Sequence, residues 1–374
     1  MKQIWKAVRA AGIFCFLLLS GGSIYAQEPS SIFGIGYGNP ETFAEFHGFI
    51  NEVYFDFEND GERNDQGDST FDQHYFYFNA IAKIRQNVTV FGEIEHEHGG
   101  ETIALDRAFM DWRVLEERLN IRIGKFYAPF GIEIQDYQYP TRKSVSRPMM
   151  ARNLVFNEWT EVGVEAYGRF GDPAFSVDYD VALVNGPNGT GILEVGTGDN
   201  PLTGGTGDAR QTRDNNSSRT FIGRVSANML EGLTVGFSHG GGRYTDTGVP
   251  GLDFGLTGVD AAYRKKGLDL RGEWVTRKVD LDPTGEMKSN SYYVQASYKM
   301  TFRKELLNYI EPVLRYDFLE PDEDLADDQR TRYAAGINYS PYPHFKFGAE
   351  WQKNSEEGVA LDDNGFLIQA VVDF

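Results

Sequence analysis

The sequence predicts an all-β fold, a transmembrane antiparallel β-barrel of about sixteen strands. Three features point there: apolar and polar residues alternate with a period of two, the connections alternate between short and long, and an exported N-terminus is followed by no apolar stretch long enough to cross a bilayer as a helix.

The export signal comes first along the chain. Lys2, Lys6 and Arg9 precede an apolar run from Ala10 to Leu19, and small residues lead to Ala26, so residues 1–26 read as a secretory signal peptide. The lone cysteine, Cys15, lies inside that run, so cleavage after Ala26 leaves a mature chain with no thiol for disulfides or Cys-based metal sites. The whole chain carries a net charge of −19, and the leader takes away three cations and no acid. A strongly acidic surface argues against nucleic acid as a partner.

The strands are read from the alternation. At the C-terminus Phe366, Ile368, Ala370, Val372 and Phe374 take one parity, with Leu367, Gln369, Val371 and Asp373 on the other. Phe175 to Leu183 and Phe345 to Gln352 repeat the pattern, with charges on one parity only. That segregation is what lipid demands, because a charge facing the midplane costs up to ~2–4 kcal/mol while one facing a wet lumen costs little. Tyr298, Tyr316, Phe318, Tyr339 and Trp351 lie near segment ends, where interfacial aromatic girdles belong.

Candidate strands fall at 45–58, 71–84, 87–98, 102–114, 119–127, 158–170, 174–185, 218–229, 233–243, 254–264, 267–279, 289–301, 308–319, 329–339, 344–354 and 364–374. The barrel thus occupies 45–374, after a short extension at 27–44. Short turns such as Lys265-Lys266-Gly267 and Pro341-Tyr342-Pro343 are expected on the periplasmic side, and long polar loops outside. Segment 186–217, rich in Gly, Asp, Asn and Thr, reads as the most mobile loop. The acidic stretch Glu320 to Asp328 reads as a solvated loop or, alternatively, a site for divalent cations.

The third outer connection, 128–157, is the most informative. Its approach strand ends Ile121-Arg122-Ile123-Gly124-Lys125-Phe126-Tyr127 and continues Ala128-Pro129-Phe130-Gly131-Ile132-Glu133. Here the sequence resembles the phosphate-selective porin O/P family, in which a strand ending in a Gly-Lys/Gln-Phe segment runs on through a Pro-x-Gly turn. The resemblance implies an outer-membrane homotrimer whose third outer loop folds inward and narrows a channel for passive diffusion of small hydrophilic solutes, anionic and phosphate-like ones among them. It implies no cofactor. Outer-membrane lipids and lipopolysaccharide are the expected surroundings. The terminal aromatic Phe374 resembles the signal read by the outer-membrane barrel assembly machinery.

That loop concentrates Arg142, Lys143, Arg147 and Arg152 in an otherwise acidic chain. Folded into the lumen, with Lys125 and Arg122 on the strand that leads to it, the cluster would form a ring of fixed positive charge that favours anions. The alternative is that these cations pair with Glu93, Glu95, Glu161 or Glu165 and merely pin the loop. Elsewhere the inward parity is mixed: Arg107, Arg113, Arg122, Arg169, Arg224, Arg271, Arg277, Arg315 and Arg332 are accompanied by Glu52, Asp111, Glu161, Glu165, Asp178, Asp180, Glu273, Glu311, Asp317 and Glu350. Facing rows of opposite sign suit a general, weakly selective pore better than a dedicated phosphate ladder.

Two other classes stay open. A hydrolase at the barrel rim needs a histidine with a nucleophile and an orienting acid. His47, His74, His96, His98, His239 and His344 show no such set, and His239 beside Ser238 diverges from it in a strand. Glu95-His96-Glu97-His98 is a candidate metal motif only if a bulge brings its two faces together. An adhesin or structural anchor would share the long loops, but sixteen strands leave an aqueous channel, and the short N-terminal extension offers no plug domain.

Overall fold

The computed structural model describes residues 43–57, 69–100, 102–136, 140–156, 159–187, 214, 216–246, 250–281, 285–358 and 364–374. The signal peptide, the N-terminal extension up to residue 42 and most of 186–217 lie outside the described residues.

Strands β1 (Phe43–Phe57), β2 (Ser69–Arg85), β3 (Val88–Glu97), β4 (Thr102–Leu115), β5 (Leu119–Tyr127), β6 (Thr160–Asp172), β7 (Phe175–Val184), β8 (Thr220–Met229) and β9 (Leu233–Arg243) are followed by β10 (Asp253–Lys265), β11 (Leu268–Leu281), β12 (Gly285–Tyr298), β13 (Met300–Lys304), β14 (Leu307–Glu320), β15 (Arg330–Ser340), β16 (Phe345–Glu356) and β17 (Gly365–Asp373). Each pairs antiparallel with its sequence neighbour, and β1 also pairs with β17, so the sheet closes on itself. Segments β12 and β13 both pair with β14 and are two halves of one strand interrupted at Lys299, which gives the sixteen staves expected. A short helix, α1 (Met149–Asn153), lies in the third outer connection.

The alternation has the predicted physical cause. Ile368, Phe366, Trp351, Phe347, Leu183 and Val181 are exposed on the outer face, while Gln369, Gln352, Glu350 and Lys346 between them are buried inside. Turns at the short-connection end are tight, and Lys266 and Gly267 both take positive φ, as a two-residue hairpin matching strand twist requires. Outer-face aromatics stack across strands, Tyr292 on Phe318 at 5.1 Å and Phe170 on Tyr179 at 5.6 Å.

Two bulges change the inward set. In β4 the register against β3 slips at Asp106, so Asp106 and Arg107 both face the lumen, and Asp106 is fully buried. The sequence pattern hides this, because a strand reading assigns one of the two neighbours to lipid. In β1 the expectation for Glu52 is corrected. Asn51, Val53, Phe55 and Phe57 are the buried inward residues, and Glu52 is exposed on the parity of Phe46 and Tyr54, opposite Ala370 of β17.

The last residue extends the closing ladder between β1 and β17. Phe374 and Gly48 exchange backbone hydrogen bonds of 3.0 Å in both directions, and a side chain at Gly48 would strike the Phe374 ring and the Tyr77 carbonyl. Gly48→Val is therefore expected to lower the yield of folded barrel severely while Gly92→Ala, where nothing surrounds the new methyl, leaves it unchanged; the heat-dependent mobility shift on gel electrophoresis reads both.

Candidate functional site

The third outer connection turns back into the barrel, because its sequence carries both apolar anchors and a turn that fits the wall. Phe130, Ile134, Met150, Leu154 and Phe156 are buried in one cluster with the inward Phe126, Trp159, Phe254, Leu256, Val275 and Tyr293. Burying each such side chain contributes roughly 1.5–3 kcal/mol, enough to hold a loop that solvent would otherwise disorder. Gly131 has φ +59, and a side chain there would overlap the Glu273 carboxylate. The Pro-x-Gly turn thus exists so that backbone and carboxylate can meet: Glu273 Oε2 accepts from the N–H groups of Ile132 and Glu133 at 3.1 and 3.2 Å.

The same device recurs along the loop. Glu350 accepts from Val145 N at 2.8 Å and from the Ser146 hydroxyl, and Asp317 accepts from Met149 N at 3.2 Å. Arg315 donates to the Ser146 carbonyl at 2.8 Å and its hydroxyl at 2.7 Å while holding Asp317 at 2.8 Å. Lys346 donates to the Arg142 carbonyl at 2.9 Å, Asn338 to the Lys143 carbonyl at 2.7 Å, and Tyr293 to Glu133 at 3.0 Å. Many lumen charges on β11 to β16 thus serve the loop's backbone, a role that residue type and spacing do not disclose.

The loop cations are placed as follows. Arg142, Arg147 and Arg152 are buried within this packing, and Arg152 sits in the last turn of α1. Lys143 is partly exposed and pairs with Glu311 at 2.9 Å. Of the four carboxylates considered as partners, Glu93 binds Arg107 at 2.7 Å, Glu165 binds Arg122 at 2.7 Å, Glu95 accepts from the Tyr77 hydroxyl at 2.7 Å, and Glu161 accepts from Trp159 and from Gly186 N. Lys125 stands apart from the cluster. It follows Ile121 and Ile123 on the outward parity of β5, is buried, and donates to the Leu105 carbonyl at 2.9 Å.

The opposite wall is more open. Arg107, Asp111, Arg122, Tyr167, Asp178, Asp180 and Arg224 are only part-buried, and Arg113 and Arg169 are exposed toward the short-turn end. Arg122 forks between Glu165 and Asp111, with both bonds to Asp111 at 3.2 Å, and its guanidinium lies 4.6 Å from the Phe109 ring and 4.8 Å from Tyr167. Arg107 lies 4.7 Å from Phe91 and 4.3 Å from Tyr127, whose hydroxyl donates to Asp106 at 3.0 Å. Arg169 pairs with Asp178, Arg224 with Asp260, and Arg271 with Asp269 and Asp136. Arginines clamped between aromatic faces and carboxylates keep fixed positions, which a flexible lysine ammonium would not. The inward aromatics are the members of this wall that charge counting misses.

Comparison with known proteins accords with this geometry. Residues 45–374 match the family of phosphate-selective porins O and P. Among solved structures the chain is similar to an anion-selective porin from Comamonas acidovorans, with TM-score 0.63, 14% identity, and coverage of 89% of this chain and 100% of that one. It is also similar to the loop L8 deletion mutant of OmpT, an outer membrane protein of Vibrio cholerae, with TM-score 0.61, 12% identity and coverage of 89% and 100%. Salmonella typhi OmpF in complex with daunomycin gives TM-score 0.57 at 12% identity over 88% of this chain and 97% of that one. An uncharacterized protein of Aquifex aeolicus is 29% identical over 161 residues, 41% of this chain, and the match spans 35% of that relative's length. A closed sixteen-stave barrel with a polar interior and an inward third loop, matched over nearly its whole described length, places this chain in the phosphate-selective porin O and P family of outer-membrane channels.

Proposed function

We propose that this protein is a passive-diffusion porin for small hydrophilic solutes with a preference for anions. The observation that carries the reading is the asymmetric lumen. On the β11 to β16 side Glu273, Asp317 and Glu350 accept backbone N–H groups of the loop, so much of their field is spent at short range. The part-buried guanidinium groups of Arg107 and Arg122 lie along the more accessible wall, each paired with a carboxylate, and Lys143 pairs with Glu311. Loop residues Arg142, Arg147 and Arg152 add positive charge at short range in a medium that screens it less than water does. The Comamonas acidovorans porin, described as anion-selective, has the same fold and supports the reading.

Residues 128–157 serve as the constriction, and the protomer functions in a homotrimer. Transport through the channel is passive diffusion. Assembly proceeds through the terminal strand that ends in Phe374, and lipopolysaccharide surrounds the outer rim.

Bilayer recordings across a salt gradient test selectivity. The wild type is expected to show stable steps and a reversal potential of anionic sign. Replacing Arg142, Lys143, Arg147 and Arg152 together by Gln is expected to shift that potential toward the cation side. An unchanged reversal potential in a folded variant removes the loop cluster from selectivity, and a cationic wild type overturns the anion reading.

A further inference from the structure

We propose that Asp72, His74 and His98 bind one divalent transition-metal ion of the zinc or copper(II) class at the outer mouth of the barrel. The proposal does not depend on the anion reading above.

Two backbone irregularities bring the three residues together. The β1–β2 register slips between Asn51 and Val53, leaving Gln73 and His74 out of the ladder, so His74 is buried beside Tyr75 and reaches Asp72, two positions before it on the same strand. His98 opens the 3-10 turn His98–Gly100 with φ 48, outside the extended range, and its ring turns away from the face that His96 shares with Phe76. The four-residue motif Glu95 to His98 does not converge. One of its histidines instead joins a carboxylate and an imidazole from the neighbouring strand. Bulges and left-handed residues that converge on one carboxylate are a recurrent mark of functional sites.

The donor set suits such an ion. His74 Nδ1 lies 2.8 Å from Asp72 Oδ2, and His98 Nδ1 lies 3.0 Å from the same oxygen and 3.1 Å from Oδ1. One ligand atom from each residue falls within 4.8 Å of the other two. A tetrahedral ion with bonds of about 2.0–2.1 Å needs donors about 3.3 Å apart, so the two edges to Asp72 have to open by a few tenths of an ångström, and the third lies within 4.8 Å. Imidazole and carboxylate together select zinc or copper(II) over calcium or magnesium, which prefer all-oxygen cages. His74 is nearly fully buried, edge-on to Tyr75 at 4.3 Å, so its ring is fixed. The charged groups acting on the site from other elements are Glu52, close to Asp72, and Arg152 of the loop, close to His74. Three protein ligands leave a fourth position for water or an anion at the mouth.

Calorimetric titration of the untagged, folded protein with zinc tests this, together with the copper(II) electron paramagnetic resonance spectrum. The expected result is one zinc per protomer and a copper spectrum with splitting from two imidazole nitrogens. Asp72→Asn and His98→Gln are each expected to weaken zinc binding at least about tenfold. His344→Gln, at the opposite end of the barrel beside Asp373, is expected to change nothing. Single-channel steps in every variant verify folding. Zinc affinity unchanged in both Asp72→Asn and His98→Gln, or lost equally in His344→Gln, would overturn the proposal and leave the trio as a hydrogen-bonded cluster only.

Discussion

Arg315→Ala is expected to cost the folded barrel about 3–5 kcal/mol and to convert steady channel openings into larger, noisy ones. Arg315 is fully buried between Asp317 at 2.8 Å and the Ser146–Arg147 segment, to which it gives three hydrogen bonds. Truncation takes from buried Asp317 its hydrogen-bonded cation, leaving Arg332 as the other cation acting on it, and the Glu350 carboxylate loses a guanidinium 4.0 Å away. The loop is also released at its midpoint. Local undocking can relieve both charges by admitting water, and conductance reads that opening directly. Urea unfolding in detergent micelles gives the stability change. Arg315→Lys should recover the charge without the bidentate geometry and fall between the two. Equal conductance and equal unfolding midpoints for Arg315→Ala and wild type would show that Arg315 does not hold the loop.

The barrel itself was legible because lipid and water impose a period of two on every strand, and most strand ends fall within two residues of their expected places. Strand β12 is the main departure, since it begins at Gly285 and breaks at Lys299. Its opening stretch, Gly285 to Lys288, carries Glu286 and Lys288 opposite Asp280 and Lys278 of β11 and only one apolar residue, Met287, which is too few for alternation to distinguish strand from loop. The bulges at Asp106 and opposite Glu52 were not legible. A bulge shifts parity without altering composition, and Asp106-Arg107 reads locally as one inward and one outward residue.

The loop's chemistry was legible only in outline. Positive charge in residues 142–152 drew the eye to ion pairs, but the contacts that dock the segment are lumen carboxylates accepting backbone N–H groups, as Glu350 does from Val145 and Ser146 across about two hundred residues of sequence. Every residue offers an N–H, so no sequence pattern marks the recipients. Gly131 is the one local trace. A positive φ and the lack of a Cβ were needed for Glu273 to reach Ile132 and Glu133, and the Pro-x-Gly turn recorded that need. Likewise His98 joins His74 and Asp72 only through a turn residue at φ 48, which a strand reading of Glu95 to His98 excludes.

Arg277→Met is expected to act in the opposite direction, stabilising the barrel by about 1–4 kcal/mol. Arg277 is among the largest fully buried side chains, and among the described residues it forms no ion pair. Its one hydrogen bond, to the Leu154 carbonyl, is long at 3.4 Å, and Nε and Nη2 lack partners. Its cross-strand neighbours are Leu256 and Ser289, and the Ser289 hydroxyl also lacks a partner, so among the described residues the Leu154 carbonyl alone offsets the desolvation of the guanidinium. Methionine keeps much of the volume, adapts to the surrounding Leu154 and Leu256, and removes the buried charge. Arg277→Ala controls for volume and should gain less, because the vacated space forfeits packing. Urea unfolding of all three in the same micelles decides the matter. A methionine variant less stable than wild type would mean that the guanidinium is worth more than its visible contacts supply, and a simultaneous loss of anion preference in bilayer recordings would assign that worth to a solute anion held behind the loop.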